Sequence, residues 1–161
     1  MAKHSAELRA QLRRILGWQD AHAGFEKSVE GLATKLRGVR VDGFPHSAWE
    51  LVEHLRITQH DILDFCVNPK YEELKWPDEY WPASPEPPSA NAWDDAISAF
   101  REDRAALEAL VDDESIDLFA TIPHGQGQTY LREILLVADH NAYHLGQLVT
   151  VRQQLGAWGT A

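Results

Sequence analysis

Between Thr129 and Leu155 the chain reads TYLREILLVADHNAYHLGQLVTVRQQL, with no proline and one interior glycine, Gly146. The pattern predicts one long helix. Leu131, Ile134, Leu135, Ala138, Ala142, Leu145 and Val149 form an apolar stripe at helical spacing. The opposite side is also apolar in part, with Val137, Leu148 and Val151 surrounding Glu133, His140, His144 and Gln147. A helix apolar on two sides is expected at the centre of a fold, covered by neighbours all round.

Upstream, Leu8, Leu12, Ile15, Trp18, His22, Phe25, Val29, Leu32 and Leu36 recur in steps of three and four, as on a bundle helix. Ser5 is the expected N-cap, and Gly17 is where this first stretch could kink or divide into two helices. Gly38 and Asp42-Gly43-Phe44-Pro45 end it. Ser47-Ala48-Trp49-Glu50 has the form of a capping box, in which hydroxyl and carboxylate each satisfy the other residue's backbone N–H. A second helix follows, with Leu51, Val52, Leu55, Ile62 and Phe65 inward, His54 at the edge of that stripe and His60 on the solvated side. Asn68-Pro69 closes it. A further helix begins near Ala92, with Trp93, Ile97, Phe100, Leu107, Leu110 and Val111 inward. Asp112-Asp113-Glu114 opens the connection that runs through Leu118, Phe119 and Ile122 to the final helix.

The segment from Pro69 to Pro88 interrupts this periodicity and holds six of the eight prolines, together with Trp76, Tyr80 and Trp81. Linkers are poor in tryptophan, so the aromatics predict a crossover that folds back on the helices. No stretch alternates with period two, and strands are absent or marginal. The expectation is an all-α protein: a four-helix bundle over residues 1–161 as a single domain, with a long Pro/Trp-rich crossover between helices two and three.

Composition narrows the function. The chain has 161 residues, 25 acidic against 15 basic, for a formal net charge of −10. That argues against nucleic-acid binding, which needs clustered lysine and arginine. The apolar runs are too short for a membrane span, and the N-terminus lacks the apolar core of an export signal. The lone cysteine, Cys66, cannot form an internal disulfide, so the expected compartment is the cytoplasm.

The chemistry-bearing feature is His140 with His144, one helical turn apart, so that both imidazoles can reach one point. With His54 from the second helix they would form a three-imidazole site suited to Zn, Ni, Fe or Cu, with a coordination position left open. Glu133, Gln147 and Asp61 are candidates to accept the histidines' second N–H. His22 and His124 are candidates for a fourth ligand or a proton shuttle, and Tyr143 for a substrate contact. Other chemistries fail on inventory: there are no paired Glu-x-x-His motifs, no nucleotide-phosphate loop and no nucleophile elbow. Cys66 is expected to be a buried, inert thiol.

Three stretches carry a resemblance. His46-Ser47-Ala48-Trp49-Glu50-Leu51-Val52-Glu53-His54-Leu55, Ile122-Pro123-His124-Gly125 with Gly127-Gln128-Thr129, and Asp139-His140-Asn141-Ala142-Tyr143-His144-Leu145-Gly146-Gln147 resemble the DinB-like (YfiT-like) family of four-helix metal-binding proteins. The resemblance implies a divalent metal, zinc or nickel, on His54, His140 and His144, and a homodimer. It also implies thiol S-transferase-type chemistry on a small-molecule substrate, since characterised relatives include thiol transferases and a maleylpyruvate isomerase that use low-molecular-weight thiols. A metal-dependent hydrolase and a non-catalytic metal-binding stress or interaction module are the alternatives.

Overall fold

The computed structural model describes the backbone of residues 2–17 and 20–159, and side chains within that span from Ser5 onward. It contains α1 (Ala2–Leu16), α2 (Phe25–Val29), a 3-10 turn (Thr34–Leu36), α3 (Ala48–Val67), α4 (Ala92–Asp112) and α5 (Tyr130–Gln154). The four long helices form the bundle: α3 packs on α4 and α5, and α1 packs on the same two. Among the described residues the only β pairing is an isolated bridge between Thr121 and Thr129, so the all-α expectation holds.

The first apolar stretch is not one helix. It stops at Leu16, and the Gly17 amide bonds back to Arg14. Ser5 is not the N-cap, because the helix already begins at Ala2; Trp18 lies outside the described residues. Further on, Phe25 stacks on Phe100 of α4, ring centroids 3.9 Å apart. The polar end of α2 is held by Arg152 of α5, whose guanidinium donates to the carbonyls of Ser28 at 2.7 Å and Glu30 at 2.8 Å. Carbonyls at a helix end have no partner within the helix, and here a buried cation supplies one.

At the start of α3 the capping box is complete: Ser47 Oγ accepts from the Glu50 amide, and Glu50 accepts from the Ser47 amide at 2.7 Å. Arg40 also donates to the Glu50 carboxylate, at 2.9 Å through Nε. Burial by itself raises the Glu50 pKa, but Arg40 and the Ser47 amide outweigh it and hold the carboxyl below its usual value. Apolar residues form two core clusters. One is built on Phe25, Trp49, Leu55, Phe100 and Leu148, the other on Leu12, Ile62, Leu107, Ile122 and Ile134.

The expectation that α5 is covered on all sides is overturned. Its buried face is Glu133, Ile134, Val137, Asn141, His144, Leu145, Leu148, Val151 and Arg152. Leu135 and Leu136 remain 45% and 36% exposed. The stripe through Leu135, Ala138 and Ala142 borders an apolar cleft of about 450 Å³ shared with Ile15, Leu16 and Phe25. On the Leu135 side the physical reason is the early end of α1, since a helix stopping at Leu16 cannot cover a neighbour that a helix running on to Leu36 would have covered; Leu136 faces a polar cleft beside Tyr71 and Arg132.

Candidate metal centre

Two helices and the crossover build the site. His54 stands in the second turn of α3, which the capping box anchors, and is only 2% exposed. His140 and His144 occupy successive turns of α5. The Nε2 atom of His54 lies 3.1 Å from that of His140 and 3.2 Å from that of His144. A ligand atom from each of the three rings falls within 4.8 Å of the others.

The opposite ring edges say which nitrogen carries the proton. His54 Nδ1 is 2.7 Å from the Tyr80 carbonyl, which can only accept, so Nδ1 bears the hydrogen and Nε2 a lone pair. His144 Nδ1 donates to Gln147 Oε1 at 2.8 Å. Two lone pairs therefore face each other at 3.2 Å with no hydrogen between them. That contact is repulsive unless a cation lies in the gap. Bonds of about 2.0–2.1 Å to a tetrahedral zinc ion would place neighbouring nitrogens ~3.3 Å apart, so the donor set fits a divalent ion.

Electrostatics agree with neutral ligands. Burial pushes His54 down to about 4; the Tyr80 carbonyl opposes this, and His144 and His46 add to it. Burial, then the two neighbouring imidazoles, pushes His140 down to about 3, with the Asn141 side chain acting in the other direction. His144 is lowered as well, chiefly by burial. Metal ligation requires unprotonated imidazole, and burial keeps these rings so at neutral pH.

The crossover forms the wall over the triad. Trp81 stacks flat on His54 with centroids 3.8 Å apart and planes 4° from parallel, and its other face stacks on His46 at 3.9 Å. The same indole meets His144 edge-on at 5.9 Å. Tyr80 reaches along α3 to donate its hydroxyl to Asp61 at 2.7 Å, and Tyr71 donates to the other Asp61 oxygen at 2.9 Å. Asp61 thus acts on the site through Tyr80, whose carbonyl holds His54.

Of the other sequence candidates, Gln147 braces His144, and Tyr143 is 65% exposed with its ring edge-on to His144 at 4.8 Å. Glu133 does not brace a histidine. It is buried, paired with Arg132 at 2.5 Å, and lines a polar cleft of about 350 Å³ with Asp61, Tyr71, Tyr80 and His124. His124 is exposed and bonds the Phe65 carbonyl at 2.7 Å, towards the far end of α3. His22, also exposed, lies 3.0 Å from the carbonyl of Ala23 and lines the apolar cleft on the other face of α5. Neither joins the triad.

Sequence reasoning missed His46 and Trp81 as walls of the site. It also missed a buried relay in which Gln59 Nε2 donates to the Phe100 carbonyl at 2.7 Å and Asn141 Nδ2 donates to Gln59 Oε1 at 3.0 Å. Trp81 left a signal in the aromatic content of the crossover; the relay left none.

A helical bundle with three imidazoles converging from two helices defines a class of candidate metalloproteins. The family comparison agrees: the model of the DinB superfamily matches residues 18–148, and the chain belongs to that superfamily. Neither the curated proteins nor the solved structures gave a match.

Proposed function

We propose that the chain is a divalent-metal-dependent enzyme of thiol S-transferase type, with zinc or nickel on His54, His140 and His144. The observation that carries the reading is the His54 Nε2 atom 3.1 and 3.2 Å from those of His140 and His144, with the Nδ1 protons of His54 and His144 engaged on the outer side. Such a metal, when bound, lowers the pKa of a thiol or water at its open position. The protein's own groups supply the rest. Tyr80 and Gln147 orient the imidazoles, the Trp81 indole screens His54 from water, and Asp61 ties the crossover to α3. Tyr143 and the cleft bordered by Tyr71, Tyr80 and Arg132 offer surfaces for the electrophilic substrate. Cys66 is not needed as nucleophile, since burial pushes its thiol up to about 12. A cytoplasmic homodimer acting on a small molecule is the accompanying expectation; the described residues contain no helix long and apolar enough to cross a membrane.

The test is metal analysis followed by turnover. About one zinc or nickel per chain, and thiol-dependent consumption of monobromobimane that disappears in His140→Ala, would support the proposal. Metal without turnover would leave a binding module, and metal well below one per chain after supplementation would overturn both.

A further inference from the structure

Asn141 stands between the two histidines of α5, is 6% exposed, and carries a side-chain oxygen that is buried without a hydrogen-bond partner. A buried acceptor left unpaired is costly, and its identity as an oxygen is forced by its neighbours. The Phe100 carbonyl can only accept, so the Gln59 group facing it at 2.7 Å is the NH₂. Gln59 then offers its oxygen to Asn141, and the Asn141 group facing it at 3.0 Å must be the NH₂. The relay therefore locks the Asn141 amide with Oδ1 as the free atom, on the residue next to His140.

The triad has a matching gap. His54 gives its Nδ1 proton to Tyr80 and His144 gives its own to Gln147, whereas no hydrogen bond holds the Nδ1 edge of His140 among the described residues. Without a cation, His140 can keep its proton on Nε2 and donate it to the lone pair of His54 at 3.1 Å. A metal on the three Nε2 atoms excludes that tautomer. The proton must leave Nε2, and solvent must return one to Nδ1, where it needs an acceptor.

We infer that Asn141 is the positioning residue of His140: its Oδ1, aimed by the Phe100–Gln59 relay, accepts the His140 Nδ1–H in the metal-loaded protein. The inference rests on the metal reading of the triad and assigns the third outer hydrogen bond that this reading requires. It also ties the site to α4, because the relay runs from the Phe100 carbonyl through α3 to α5.

The experiment is proton NMR of the cobalt(II)-loaded protein, in which ligand imidazole N–H protons appear as exchangeable, paramagnetically shifted resonances. Three such resonances are expected, and each is assigned in the wild-type protein by its nuclear Overhauser contacts to its own ring and to the residue that accepts it. In Asn141→Leu the His140 resonance should vanish into solvent exchange while the other two persist, with cobalt affinity down about 10–100-fold. Asn141→Asp, which keeps an oxygen at the position, should retain the resonance at a changed shift. Two resonances in the wild type, three unchanged in Asn141→Leu, or no change in affinity would each overturn the inference. If Asn141→Leu does not fold, a wild-type spectrum with two resonances, or a His140 resonance at the same shift in Asn141→Asp, still overturns the inference. A wild-type protein that takes up no cobalt would defeat the metal reading itself and is distinct from every outcome above.

Discussion

The indole of Trp81 lies flat against the imidazole of His54, centroids 3.8 Å apart, although one residue belongs to the irregular crossover and the other to the second turn of α3. The crossover thus forms part of the candidate metal centre, with Trp81 fixing the plane of a ring whose Nδ1 is fixed by the preceding residue, Tyr80. Stacked aromatic pairs contribute about 0.5–1.5 kcal/mol beyond the area they bury. Trp81→Ala is expected to weaken zinc binding roughly 10-fold with the helix content unchanged. Calorimetric titration of zinc into both proteins would check this; equal affinities would mean that the Tyr80 carbonyl alone holds the ring.

Acid should destabilise the metal-free protein through the triad. Burial holds His54 at about 4 and His140 at about 3, well below an unfolded histidine. Between about pH 6.5 and those values the unfolded chain binds more protons than the folded one, so stability falls as pH falls. The slope is at most ~1.4 kcal/mol per pH unit for each histidine, and the contribution is fully present above about pH 6.5. Urea midpoints at a series of pH values should show a shallower decline in His140→Ala than in the wild type. Parallel curves would contradict the assignment.

Zinc should in turn raise the melting temperature. A ligand that binds only the folded state stabilises by about 2.7 kcal/mol at a hundred times its dissociation constant. The rise should be absent in His144→Ala and reversed in the wild type by a chelator. Calorimetric melts with zinc and with EDTA provide the readout.

Cys66 should be a spectator. Its thiol is 4% exposed and pushed up to about 12, by burial first and then by the negative charge of Glu133. Only about one molecule in 10⁵ would carry the thiolate at pH 7. Iodoacetamide should label it in urea and scarcely at all in buffer, and Cys66→Ala should keep any thiol-dependent turnover. Rapid labelling of the native protein would refute the burial argument.

Arg152 should be among the residues whose loss is hardest to tolerate. It is 5% exposed, and its guanidinium serves the carbonyls of Ser28, Glu30 and Ala157 at 2.7–2.9 Å. Arg152→Met leaves those acceptors without their donor at roughly the same side-chain volume, for an expected loss of about 2–4 kcal/mol. The urea midpoint measures it. A change below half a kcal/mol would mean that water replaces the guanidinium.

What could be read from the chain alone was local. The helical ranges of α3, α4 and α5, the Ser47–Glu50 capping box and the pairing of His140 with His144 are set by residues three or four positions apart. Periodicity reports such relations directly. The partnership of His54 with those two histidines came from the family resemblance and the logic of facing helices, and the fold realises it across a separation of 90 residues to His144. Only the tertiary structure decided which side of α5 is covered, because that depends on α1 stopping at Leu16, a single break that apolar spacing passes over. Only it put Trp81 on His54 and ran the amide relay from Phe100 through Gln59 to Asn141. Those contacts join elements by geometry and carry no period, so the chain alone shows at most that the aromatic crossover folds back, and not which residues it meets.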